Sequence, residues 1–243
     1  MKALAALSLA VALQTLNPSP RAVVRDTRVL QPAEIVQVLA ASRQAVAGSA
    51  LRLSFVVNGP GMDVVMADDG WPEWMRTTSG VGEPEAHVDL VTIEHFTHTR
   101  ARGCDGRAVN GDLVVEYEQR TPPGTWTVKA RVRSDIEVGT PIFNMLSGAT
   151  AVESGAFRDF DGGRRARAFT APWTTPPGGI GGPVGAPQSL WVDVDSLRPL
   201  RWSLTVPEQS GMPALPEYGL IFTYDEAIDV RAPDGVVAPD CVR

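Results

Sequence analysis

The feature that most constrains this chain is a change of hydrophobic period at Ala50. Upstream, Ile35, Val38, Leu39, Ser42, Ala45 and Val46 recur at helical spacing, between a Pro32 suited to a first helical turn and a Gly48 suited to a stop. Gln31 is a poor cap, so the start of that helix is soft. Downstream the period is two. Leu51, Leu53, Phe55 and Val57 alternate with Arg52 and Ser54, and Met62, Val64 and Met66 follow a turn at Asn58-Gly59-Pro60-Gly61. One long helix followed by many half-apolar strands predicts a mainly β protein of α+β type.

The same alternation marks the rest of the chain. It predicts strands over Val88–Thr99, Leu113–Tyr117 and Trp126–Val132, the last two joined around Thr121-Pro122-Pro123-Gly124. Phe157–Phe160 and Arg165–Thr170 flank a hairpin signal at Asp161-Gly162-Gly163. Leu190–Val206 reads as a hairpin in which Val194 faces Leu200, Asp193 faces Arg201 and Val192 faces Trp202. Tyr218, Leu220, Phe222 and Tyr224 make a last strong strand, continued by Ile228 and Val230. Val23–Leu30 reads as a linker or a first strand, Trp71–Glu85 as an irregular acidic stretch, Pro141–Leu146 as a short helix, and Ala171–Gln188 as a Pro/Gly-rich surface loop.

About nine strands with one apolar face each indicate antiparallel pairing. Eight strands at about 4.8 Å span about 38 Å, whereas a helix covers about 10–12 Å. One long helix cannot cover a flat sheet of that width. The expectation is a curved antiparallel sheet forming a half-open barrel, with the N-terminal helix packed on its concave face. Such a sheet encloses an apolar cavity unless large side chains fill it. The candidate lining is Leu39, Phe55, Val57, Val64, Met66, Val115, Tyr117, Trp202, Leu204, Phe222 and Tyr224, with core filling as the alternative reading.

Met1-Lys2, the apolar run Ala3–Leu13 and the polar Asn17-Pro18-Ser19-Pro20 have the layout of a secretory leader. The run is too short to span a bilayer, and no other segment is suited to it. Residues 1–22 are therefore expected to be leader and linker, and residues 23–243 a single periplasmic or secreted domain. Ala10-Val11-Ala12 satisfies the small-residue cleavage rule but would leave a short apolar region, and Ala22 has a poor neighbour three positions upstream, so the cut is left open between them. In an oxidising compartment Cys104 and Cys241, the two cysteines of the chain, are expected to pair. A net charge of −6 argues against a nucleic-acid partner. Lys2 and Lys129 are the only lysines among 22 basic residues, a bias read as genomic.

Leader, helix, strand run and the late Trp191–Trp202 hairpin together resemble the outer-membrane lipoprotein carrier (LolA-like) superfamily. Trp191, Asp193, Ser196, Pro199, Leu200 and Arg201 are similar to its Trp-Asp-Ser/Thr-Leu-Pro-Arg hairpin, with Arg198-Pro199-Leu200 displacing the usual Leu-Pro order. The resemblance covers about residues 32–230, by order of elements. It implies a half-barrel that shields acyl chains during transfer, and hence a lipid or acyl-chain ligand.

Other chemistry is weakly signalled. His95 and His98 would share a face on a helix but not on a strand, and His87 and His95 would lie about 26 Å apart along one. No metal site is expected from them. Asp159-Phe160-Asp161-Gly162-Gly163 and Asp193-Val194-Asp195 lack the later Glu of a calcium loop and read as turns. The Gly178–Gly182 run lacks the Lys-Ser/Thr of a phosphate loop. Asp68, Asp69 and Glu73 read as a solvated acidic loop, and Arg164-Arg165-Ala166-Arg167 as a solvated basic face. The expected function is non-catalytic, without a cofactor: an exported carrier or binding protein for an apolar ligand. The alternatives are an envelope sensor or protein-interaction module on the same scaffold and an unrecognised hydrolase.

Overall fold

The computed structural model describes residues 18–56, 61–68, 72–81, 88–96, 112–120, 124–133, 146, 152–173, 185–206 and 215–238. Ser19 opens helix α1, Pro20–Arg25. Its hydroxyl accepts from the Ala22 N–H at 3.3 Å, and Pro20 occupies a first-turn position that needs no N–H. The linker or strand expected over Val23–Leu30 is thereby corrected: the chain is helical to Arg25 and turns extended at Asp26. Helix α2, Pro32–Gln44, lies where the apolar stripe places it, burying Ile35, Val38 and Ser42. Its weak Gln31 cap is supported from the third helical residue, because the Glu34 carboxylate accepts the Gln31 N–H at 2.8 Å.

Eleven described strands follow: β1 Ala50–Phe55, β2 Gly61–Met66, β3 Pro72–Val81, β4 Val88–Phe96, β5 Asp112–Arg120, β6 Thr127–Arg133, β7 Glu153–Phe160, β8 Arg164–Pro172, β9 Pro187–Asp193, β10 Pro199–Val206 and β11 Leu215–Tyr224. They form one antiparallel sheet in the order β6-β5-β4-β3-β2-β1-β11-β10-β9-β8-β7. Two meanders, β1 to β6 and β7 to β11, are joined by the long-range pair β1–β11, where Leu51, Leu53 and Phe55 face Tyr224, Phe222 and Leu220. The sheet is not closed, since β6 and β7 lie at opposite ends of the order.

Three sequence expectations need correction. The stretch Trp71–Glu85 contains strand β3, flanked on both sides by partners. Pro72 is tolerated there because it is the first residue of the strand. Ile228 and Val230 do not extend β11, because a turn at Asp225–Ala227, held by Asp225 Oδ1 on the Ala227 N–H, redirects the chain. In the 190–206 hairpin, Arg201 faces Trp191 and Trp202 faces Leu190 rather than Asp193 and Val192, because Asp193 is used in the turn and β10 bulges between Pro199 and Arg201. The expected short helix Pro141–Leu146 lies outside the described residues apart from Leu146, which is buried in the main core. Val57, Cys104 and Cys241 also lie outside them.

The largest buried cluster joins both helices to one face of the sheet. Val23, Val24, Leu30, Ile35, Val38 and Val46 pack with Leu51, Leu53, Val64, Phe169, Val192, Trp202 and Phe222, among others. Register shows that this face continues across β3: Val64 faces the partly buried Met75, whereas Val65 faces Trp74 on the opposite face.

Strands β10 and β11 approach so closely at Gly219 that a β-carbon there would sit 2.3 Å from the Trp202 carbonyl oxygen. Gly219→Ala is therefore expected to lower stability by about 1–3 kcal/mol, the usual cost of overpacking. Gly162→Ala, at an open turn position with φ 76°, serves as the control for left-handed strain alone in the same urea titration.

Candidate functional site

The candidate site is the helix-bearing face of the sheet, and the turn between β9 and β10 is what fastens helices to it. In that turn Asp193 is 3 % exposed, and its Oδ1 accepts the N–H groups of Asp195 and Ser196 at 2.8 and 2.7 Å. This lets Leu197 hold a positive φ of 63° and leaves Arg198 pointing back to the helices. The Arg198 Nε donates to the Ala45 carbonyl just past α2 at 3.2 Å, and its guanidinium lies 4.7 Å from the Tyr224 ring centre. Asp195 pairs with Arg25 at the end of α1. The Tyr224 hydroxyl donates to the Pro199 carbonyl at 2.8 Å, and burial raises its pKa.

The residues of the Trp191–Arg201 hairpin thus have separate tasks. Trp191 meets the Phe160 ring edge-on at 5.8 Å, Asp193 shapes the turn, Pro199 accepts from Tyr224, and Leu200 is buried. Arg201 is half-buried.

Arg167 on β8 supplies the second fastening and corrects the reading of Arg164–Arg167 as a solvated face. It is 1 % exposed, because the chain from Val23 to Arg28 lies against it, while Arg164 and Arg165, the latter on the same face of β8, stay exposed. Its guanidinium donates to the carbonyls of Val23 (3.5 Å), Asp26 and Arg28 (2.6 Å), and lies 5.2 Å from the Phe157 ring. Burial pushes its pKa down and Arg28 adds to that, while the carboxylates of Asp26 and Glu34 oppose it. No sequence signal distinguished this arginine from Arg165, which shares its parity with Phe169 and Ala171.

Of the expected lining, Leu39, Phe55, Val64, Met66, Trp202, Leu204, Phe222 and Tyr224 come together in or against the main cluster. Val115 and Tyr117 do not. They belong to a cluster on the opposite face of β4–β6, covered by Val230 with Ile228, Ala232, Val236 and Ala238 of the C-terminal tail. The helix-bearing face of those strands carries Phe96 and Val114, linked through Met75 toward the main cluster. It also carries Glu94 and Glu116, directly opposite one another and each 4 % exposed, with Lys129 Nζ 2.7 Å from Glu116 Oε1. Inside the helix-bearing core, Ser42 Oγ and Trp173 Nε1 have no hydrogen-bond partner among the described residues.

Of the histidines, His95 stacks on Trp74 with ring centres 4.0 Å apart, and His87 and His98 lie outside the described residues. No group of metal-binding side chains occurs among the described residues, and no described helix is long and apolar enough to cross a membrane. A cleft of about 250 Å³ lies between Arg76 and Ile93 on one side and Asp229–Asp234 on the other, on the tail-covered face.

Glu34 ties the fastening to pH. Arg28 donates to both its oxygens, one at 2.8 Å, and with the Gln31 N–H holds its carboxyl at about 2, against an ordinary 4.5. A depressed carboxylate stabilises the fold above its unfolded pKa and loses that contribution as pH falls through the folded one. Glu34→Gln is expected to be less stable than wild type near neutrality. The gap should narrow as pH falls from about 4.5 to about 2, as read by thermal melts across that range.

Compared with known proteins, the chain matches no family model and no curated protein.

Proposed function

We propose that this protein is an exported, non-catalytic carrier that holds a lipid or acyl chain against the concave face of a curved, half-open antiparallel sheet of LolA-like type. The observation that carries this reading is the mismatch between sheet and helices. Eleven strands at about 4.8 Å span about 50 Å, and a helix covers about 10–12 Å of that. A sheet of this size curls, and the apolar lining of its helix-bearing face runs on through Met75 to Phe96 and Val114.

Burial of an alkyl chain contributes about 0.8 kcal/mol per methylene, so ten methylenes offset the ordering cost of binding without any polar motif. Ser42 Oγ and Trp173 Nε1, orphaned within the apolar core, are suited to the polar end of such a ligand. A second reading, an envelope protein-interaction module, is favoured by the two sheet ends: among the described residues no strand pairs with the outer side of β6 or β7.

Native mass spectrometry of protein purified from the periplasm, with organic extraction of what it carries, separates these readings. The carrier predicts a lipid-sized adduct that Met75→Lys abolishes while circular dichroism stays unchanged. An apo mass that persists after incubation with membrane lipid extract overturns it and favours the interaction module.

A further inference from the structure

We infer that the helix-bearing face holds a subsite for one neutral carbonyl, built from the indole N–H of Trp173 and the side-chain amide of Gln188, so that the ligand is an ester- or amide-linked acyl chain rather than a free fatty acid. This rests on the carrier reading above and fixes the chemical class which that reading leaves open.

Register puts the two residues together, at the end of β8–β10 away from the Asp193 turn. Trp173, one residue beyond β8, keeps the parity of Phe169 and Ala171. Ala171 faces Gln188 and Phe169 faces Leu190 on β9, and these in turn face Leu204 and Trp202 on β10. Apart from Gln188, all of these side chains lie in the main cluster or pack against it. The ladder itself holds Trp173 in place: its N–H donates to the Ala186 carbonyl at 2.7 Å, and its carbonyl accepts the Gly185 N–H at 2.8 Å. Its ring lies 5.9 Å from that of Trp202. The Trp202 Nε1 donates to Gln188 Oε1 at 3.2 Å, whereas the Trp173 Nε1 is closed to solvent and has no acceptor among the described residues.

An indole N–H only donates, and it is fixed in the ring. The Ser42 hydroxyl, by contrast, is free to rotate toward a carbonyl of its own helix and so specifies no ligand by itself. Gln188 is 3 % exposed, and its Nε2 donates to the Pro172 carbonyl at a long 3.5 Å. A side-chain amide has two N–H groups, so one is left to give. The group that completes this site is therefore an acceptor. It is also uncharged. The nearest cation on that face of β8 is Arg167, six residues from Trp173 and so about 20 Å along the strand, and it is already committed to backbone carbonyls. A carboxylate buried beside Trp173 would lack a counter-ion on these strands. An ester or amide carbonyl meets both conditions. From it, an alkyl chain can follow the apolar cross-strand row Trp202, Leu220 and Phe55.

The test is calorimetric titration of the full chain, stripped of lipid, with 1-oleoylglycerol, with its ether analogue 1-O-oleylglycerol and with oleate. The ether keeps chain and headgroup and lacks the carbonyl. The ester is expected to bind about tenfold more tightly than either of the others. Trp173→Phe keeps an aromatic ring without the N–H, and it is expected to bring the ester down to the affinity of the ether while leaving the ether unchanged. The ester–ether comparison needs no variant and decides the matter if Trp173→Phe does not fold. Equal affinities for ester and ether, a tighter oleate, or an ester preference that survives Trp173→Phe overturns the inference and leaves the carrier reading standing. Failure of the folded wild-type protein to bind any of these probes overturns both.

Discussion

One buried cation organises the N-terminal part of this fold. Arg167 is taken out of water on β8 and answered almost entirely by backbone carbonyls, at Val23, Asp26 and Arg28. Removing the partners of such a charge costs about 3–5 kcal/mol, so its position dictates where that stretch of chain can lie. The rest of the attachment follows from it. With residues 23–28 fixed, Leu30 donates to Ser154 Oγ on β7 at 2.9 Å, Arg28 meets Glu34, and α2 begins against the same side of the sheet. The β9–β10 turn then takes the far end of α2 through Arg198.

The sheet divides its polarity accordingly. From β8 through β2 one face is covered by helices and the other keeps charges such as the Arg52–Asp63 pair, with Nε 2.7 Å from Oδ1. From β3 to β6 the C-terminal tail lies on that other face, so these strands carry apolar clusters on both sides. The acids Glu94 and Glu116 occupy the helix-bearing side there, with Lys129 reaching Glu116. The helix-bearing face therefore carries an apolar stretch next to a charged one.

Much of this was legible in residues. The α2 stripe, the β1–β2, β5–β6 and β7–β8 hairpins and the last strand follow from period and turn chemistry, because each is settled by local neighbours. What was not legible depends on distant chain. Val115 and Tyr117 are the stronger apolar stripe of β5, and alternation alone assigns them to the helix side. They face the tail instead, more than a hundred residues later in sequence. Arg167 looks like Arg164 and Arg165 until the chain from Val23 to Arg28 supplies carbonyls to it. The register of the 190–206 hairpin slipped because the Asp193 carboxylate prefers two backbone N–H groups to a cross-strand arginine.

Arg167 fastens the start of the helical segment to the sheet, beside the β9–β10 turn at its far end, and hydrogen exchange on Arg167→Met tests this most directly. Met keeps the apolar bulk and leaves three carbonyls without their donor, worth about 1–3 kcal/mol for each buried group left unmade. The prediction is a loss of protection of about tenfold or more across residues 20–44, with the amides of β3–β5 unchanged. Unaltered exchange in α1 and α2, or an equal loss throughout the sheet, would contradict it.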